Sequence, residues 1–385
     1  MLPRLFLDSA AALPPSTTAA DVLRETALRL RANPSALHRE GKEARKALDQ
    51  ARDTFRRLLG LERPEQIVFT SGGTEAAHLA IAGVLSQNPP ERKAVVATAV
   101  EHPAILGAAR RFSSSNHVEI VPCRPDGSFA LESVLGRLGP QTGLVAVQAA
   151  NLDSGAIHDL SGLAEALATR QVPWLCDAQA LFGQEPLNGA SLGADLILLS
   201  AHRFGGPKGC GILGVRDPSR LAPWLVGGRQ EHGLRAGTEN LPGILAAAAA
   251  AEEACAAVES RCRELRELQS RLWHQFRTKI PGVHLLGPEP GPRRIAGHLA
   301  LRLEGADAES VAFILDLRGL AVGVGSGCLS PQEKVSSVFT AMGLTIKEAQ
   351  EVVLMGVPKG WGDEEIARVV AEFERAVGRV RDTGG

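Results

Sequence analysis

Seven short apolar runs punctuate the first two-thirds of the chain: Ile67–Thr70, Ala94–Thr98, Val118–Val121, Leu144–Gln148, Trp174–Asp177, Leu196–Ser200 and Gly211–Val215. Several are unbroken apolar stretches, the pattern of strands buried on both faces. Between them apolar positions recur at helical spacing, over Thr74–Leu85, Pro103–Phe112 and Leu160–Thr169. This alternation predicts a mostly parallel sheet covered by helices. Leu241 to Ile280 is rich in Ala, Glu and Arg with few breakers, which predicts one or two long helices leading out of the large unit. Beyond it, His298–Leu303, a helix over Ala308–Leu317, a strand over Leu320–Val324 and a helix over Asp363–Val380 predict a smaller α+β unit. Asp363 and Glu364 place negative charge in the first turn of that last helix, where the dipole favours it. The expected fold is α/β, with a large domain over 13–252 and a small α+β domain built from 1–12 and 253–385.

Composition narrows the function classes. A chain of 385 residues is too long for one minimal core, and its net charge of −1 offers no basic stripe for nucleic acid or an anionic membrane. The apolar fraction of 44% is ordinary, and the longest apolar stretch, Ile244 to Ala251, is mostly alanine and too short to span a bilayer. An acidic residue, Asp8, comes too early for a signal peptide. Six scattered cysteines form no Cys-x-x-Cys pair and no dense framework. The expectation is a soluble cytoplasmic protein with reduced thiols and no metal site.

Four places carry candidate chemistry. Phe69-Thr-Ser-Gly-Gly-Thr-Glu75 follows a strand and opens a helix; Gly73 and Thr74 then offer backbone amides and a favourable dipole to a phosphate. A plain strand–helix turn with Thr74 as its cap is the alternative. His102, in Glu101-His102-Pro103, lies just after a strand, where open α/β sheets bind ligands. Asp177 ends another strand, as a ligand for a protonated ring nitrogen or as a helix cap in a βα loop. Cys328 sits in Gly323-Val-Gly-Ser-Gly-Cys-Leu-Ser330, where flexible glycines suit a nucleophile that must move. Cys255 and Cys262, on one predicted helix, read as small apolar residues.

Several of these motifs, in this order, resemble the cysteine desulfurases of the nitrogen-fixation type. These are pyridoxal-phosphate (PLP) enzymes of fold type I, class V aminotransferase-like. The resemblance runs from roughly Leu5 to Met342 and includes Leu7-Asp-Ser-Ala-Ala, Asn33-Pro-Ser-Ala-Leu-His38, the Gly73-Thr74 loop, Glu101-His-Pro and Asp195 to Cys210. It implies that Gly73, Thr74, Ser200 and His202 hold the cofactor phosphate, that His102 stacks on the ring, and that Asp177 keeps its nitrogen protonated. Gly227-Gly-Arg-Gln-Glu-His-Gly-Leu-Arg-Ala-Gly-Thr-Glu-Asn240 resembles the loop whose threonine, here Thr238, reaches the phosphate of the partner subunit. A homodimer follows from that resemblance. Cys328 corresponds to the cysteine that takes sulfur from the substrate and carries the persulfide.

The pattern breaks at the reactive centre. Arg203 stands where the family has its Schiff-base lysine, and a guanidinium with a pKa above ~12 is never a neutral amine. Leu152 takes the place of an asparagine, and Ala180 that of a glutamine, that bond the ring oxygen, unless Gln179 substitutes from next door. Counting back from Glu364-Glu-Ile366 puts Leu354 at the arginine that clamps the substrate carboxylate. Lys208 is no replacement, because the family has a lysine there as well. The sequence therefore predicts a degenerate desulfurase-like homodimer without aldimine turnover. It would bind PLP non-covalently or not at all, and would bind or relay sulfur with a donor or acceptor protein. The alternatives are an active PLP-dependent cysteine desulfurase or selenocysteine lyase that releases alanine and uses Cys328 and His102, and a purely structural dimer that binds partners.

Overall fold

A computed structural model describes residues 4–9, 12–113, 117–325 and 335–383. Its strands are β1 (Leu5–Phe6), β2 (Ile67–Thr70), β3 (Ala94–Thr98), β4 (Val118–Val121), β5 (Thr142–Gln148), β6 (Trp174–Asp177), β7 (Leu196–Ser200), β8 (Gly211–Val215), β9 (Val283–Leu285), β10 (His298–Leu303), β11 (Leu320–Ala321), β12 (Gly323–Val324) and β13 (Val352–Gly356). Strands β2 to β8 form one seven-stranded sheet in the order β2-β8-β7-β6-β5-β3-β4. All its pairings are parallel except the two made by β8, which runs antiparallel to β2 and β7. The sheet is the mostly parallel α/β layer that the alternation predicts.

The unbroken apolar runs are explained by burial on both faces. Successive side chains of a strand point to opposite sides. Thus Val95, Leu144, Leu175, Leu196 and Leu213 join a core with the helices Gly73–Gln87 and Pro103–Phe112. Their neighbours Val96, Val145, Cys176, Ile197 and Ile212 join the opposite core. That second face is covered partly by two helices the sequence reading did not single out, Thr17–Arg29 and Arg39–Leu58. The latter is dense in charge, yet it buries Ala44, Leu48, Ala51 and Phe55, a stripe at three- and four-residue spacing. Both pack against Leu241–Ala256, whose alanines allow close approach.

Leu241 to Ile280 resolves into two helices, Leu241–Ala256 and Val258–Lys279, meeting at 66°. Among the described residues, no single helix is long and apolar enough to cross a membrane. Beyond the bend lies a second core in which Leu7 packs with Leu268, Phe276, Leu301, Val353 and Phe373. Its sheet has the order β12-β13-β10-β9, and a separate parallel pair joins β1 to β11. Two expectations are corrected. The strand over Leu320–Val324 is two short strands: β11 pairs with the N-terminal β1, and β12 with β13. The helix expected over Leu160–Thr169 is only Leu163–Ala168, because Gly162 before it has φ of +77°, outside the helical range.

Candidate active site

Strands β3, β5, β6 and β7 run in parallel, so their C-terminal residues Thr98, Gln148, Asp177 and Ser200 lie along one edge of the sheet. Open α/β sheets bind ligands at this edge. Several of the residues singled out in sequence, among them His102, Asp177 and Ser200, lie at or just beyond this edge.

The anion side comes first. The helix Gly73–Gln87 begins after Gly72 with no side-chain cap, and Thr74 is exposed, so Thr74 is not the cap of a plain turn. The first amides of the helix keep their donors for a ligand. Glu75 stays clear of that opening: one carboxylate oxygen accepts from the Ser71 amide (2.8 Å) and both meet Arg235 (2.7 and 3.2 Å). Nearby, Ser200 Oγ and His202 Nδ1 are 3.0 Å apart. Burial pushes His202 down to about 4, with the charges of Arg203, Lys208 and His102 adding to the effect. A histidine kept neutral among cations marks a region of positive potential, as an anion site requires.

Thr238 is exposed in the loop 227–240, which is pinned at two points. Arg235 holds it to Glu75. Glu231 receives two bonds from the buried Arg52 (2.8 and 2.9 Å) and one from the Phe69 amide (2.8 Å), while the Arg52 guanidinium stacks 4.9 Å from the Phe69 ring centre. The loop is thereby fixed to the strand that leads into the Gly73 turn.

On the ring side, His102 caps the helix Pro103–Phe112, its Nδ1 accepting from the Ala104 amide at 3.0 Å. Its surroundings lower its pKa, chiefly through desolvation; Asp177 and Asp153 oppose this and Arg203 reinforces it. Asp177 is buried, and desolvation raises its carboxyl against the bonds from Gln179 and the charges of His102 and Arg203. Behind it the fully buried Glu101 accepts from Thr98 Oγ1 (2.6 Å) and the Gln148 amide (2.9 Å). Burial, with Asp177 adding to it, still pushes Glu101 up to about 8.

Arg203 ends a short 3₁₀ turn, Ala201–Arg203, directly after β7. Its charge is felt by three carboxylates, Asp8, Asp153 and Asp177, whose pKa values burial raises and Arg203 lowers. Asp153 was not foreseen: it accepts from Ser336 Oγ at 2.5 Å, across 183 positions of sequence. Leu152, Ala180 and Arg203 line one cleft of about 430 Å³ at the junction of the two cores, together with Gln179 and His298. Leu354 lies aside from it, on β13 opposite Ala300, packed with Val100 and Phe339.

Gln179, the alternative to Ala180 as a ring-oxygen partner, is turned onto Asp177. Its amide donates to Asp177 Oδ1 (3.0 Å), and its side-chain Nε2 lies 3.1 Å from both Asp177 oxygens. Its Oε1 rests over Gly73, where a Cβ would come within 2.1 Å of it. Gly73, Thr74, Ser200 and His202 would suit the phosphate of PLP; the Gln179 carboxamide lies between Gly73 and Asp177, where the ring would have to pass, and a guanidinium offers no amine.

Cys328 lies outside the described residues. The residues flanking its segment meet beside the site, the Ser336 amide donating to the Gly325 carbonyl at 3.1 Å. The other five cysteines are free, and burial raises the pKa of each, to about 12 for Cys210 and about 11 for Cys255 and Cys262. Among the described residues no cluster of three or more His, Cys, Asp or Glu side chains is arranged to hold a metal.

Residues 5–348 match the family description Aminotransferase class-V. The chain is 36% identical to a cysteine desulfurase of Frankia sp. (strain EuIK1), covering 98% of this chain and 92% of that protein. It is 31% identical to a cysteine desulfurase of Klebsiella pneumoniae, covering 91% and 86%. A solved NifS-like protein superposes with a TM-score of 0.89 at 26% identity, covering 98% of this chain and all of the other. PLP is the cofactor of this family. Fold, motif order and overall similarity agree: the chain belongs to the class V aminotransferases and is a cysteine desulfurase-like member of them.

Proposed function

We propose that this chain is a desulfurase-like homodimer without PLP-aldimine turnover, and that it serves sulfur transfer as a binding or relay protein. The observation that carries this reading is Arg203, which the resemblance sets at the lysine position and which lines the cleft. A guanidinium neither forms a Schiff base nor shuttles a proton at neutral pH. Leu152 and Ala180 on the cleft wall add to it, because neither can bond a ring oxygen.

Cys328 is the sulfur carrier in this proposal. A donor persulfide, R–S–SH, presents its outer sulfur to the Cys328 thiolate; the S–S bond breaks as the new one forms, R–S⁻ leaves, and Cys328 becomes a persulfide. No external oxidant is needed. Support comes from the anchoring of the loop ends at Gly325 and Ser336, and from the five described thiols, whose pKa values are raised by burial. His102 stands on the same side of the site as the Asp153–Ser336 contact. Thr238, exposed in its pinned loop, is the residue we assign to the partner subunit's anion site.

The similarity to named desulfurases favours the second reading, a working lyase on cysteine or selenocysteine. One experiment separates the two. Purified protein is incubated with PLP, reduced with borohydride and mapped by mass spectrometry, while sulfide and alanine release from cysteine are compared with Cys328→Ala. We expect no lysine adduct and equal background release. A reduced adduct together with Cys328-dependent alanine overturns the proposal.

A further inference from the structure

Gln179 is placed unlike an ordinary loop side chain. It turns into the pocket, sits against both oxygens of the buried Asp177 and covers Gly73. The carboxamide lies between a carboxylate and the start of a helix: its Nε2 faces both Asp177 oxygens and its Oε1 lies over the Gly73 Cα. The same volume and the same Asp177 lone pairs are what a protonated heteroaromatic ring would need.

We infer that Gln179 is a built-in ligand for Asp177 that closes the ring slot, so that the pocket admits a pyridinium ring only when this side chain swings away. The inference rests on the reading that Arg203 leaves no covalent anchor. With a lysine, an aldimine bond would outweigh the displaced carboxamide; without one, a ring must compete by non-covalent contacts alone. The anion cradle at Gly73, Thr74, Ser200 and His202 is then separable from the ring slot. Phosphate-bearing pyridinium compounds are the ligand class at issue, and Gln179 sets their affinity.

The test uses pyridoxine 5′-phosphate, which has the ring and the phosphate but no aldehyde, so covalent trapping plays no part. Its affinity for the full chain and for Gln179→Ala is measured by calorimetry, with circular dichroism and thermal midpoints checking that the variant is folded. We expect Gln179→Ala to bind at least tenfold more tightly, and Asp177→Asn in that background to lose most of the gain. Equal affinity in the two proteins, or binding to neither, overturns the inference and leaves the absence of aldimine chemistry untouched. A borohydride-stable lysine adduct with PLP in the unaltered chain would instead overturn the underlying reading.

Discussion

Removing Glu231 tests how the loop carrying Thr238 is held. Arg52 and Glu231 are 1% and 3% exposed, and the carboxylate receives three hydrogen bonds, two from Arg52 and one from the Phe69 amide. Glu231→Ala strands a buried guanidinium that keeps only the Ile67 carbonyl and the Phe69 ring. Breaking a buried pair from one side costs about 3–5 kcal/mol, whereas replacing both partners with apolar groups is often near neutral. Arg52→Met/Glu231→Leu should therefore lose much less than Glu231→Ala. Backbone strain is a separate term, since Glu231 sits at φ of +47°. Glu231→Gly relieves roughly 1 kcal/mol of it, and should still be clearly destabilised. Guanidinium denaturation of the unaltered chain and these three variants gives the losses, and limited proteolysis within 227–240 reports the loop. A loss below about 1 kcal/mol for Glu231→Ala would refute the claim that this pair pins the loop.

Restoring the lysine alone, Arg203→Lys, should not bring back sulfide release from cysteine, because Leu152, Ala180 and the Gln179 carboxamide remain. Substantial Cys328-dependent turnover in that variant would mean that these positions matter less than argued. The pH dependence of stability should have two limbs. Glu101, held up at about 8, keeps a proton that the unfolded chain releases near its ordinary 4.5, so its contribution is full below about 4.5 and fades as pH rises towards 8. The buried His158 and His298, pushed down to about 4 and about 3, act in the opposite sense: their contribution is full above about 6.5 and is lost as pH falls towards 3–4. Denaturation midpoints between pH 4 and 9 should show both limbs, and Glu101→Gln should flatten the upper one and steepen the lower where the two overlap; an unchanged upper slope counts against a protonated Glu101.

Much of the fold could be read from pattern alone. Strands β2, β3, β6, β7 and β8 occupy the predicted apolar runs because burial on both faces leaves few polar positions to blur them, whereas β4, at the sheet edge, is only partly buried. The helix Arg39–Leu58 escaped notice because charge dominates its composition while only one narrow stripe is buried. Leu320–Val324 reads as one strand locally, yet its two halves pair with β1 and β13, and such distant pairing leaves no local mark. Gly73, His102, Asp177 and Ser200 stood out in sequence because each ends a strand or opens a helix at a fixed place in a motif, and His202 because it follows Ser200 there. Asp153 was not, since its partner Ser336 lies far away in the chain.

The sequence by itself determined the strand–helix order, the motif positions and the presence of a guanidinium at Arg203, where the resemblance leads one to expect an amine. These depend on residue identity and local periodicity. Tertiary structure alone decided that Leu152, Ala180 and Arg203 share one cleft and that Gln179 turns onto Asp177. A side chain's direction follows from the charges and space contributed by segments far away in the chain.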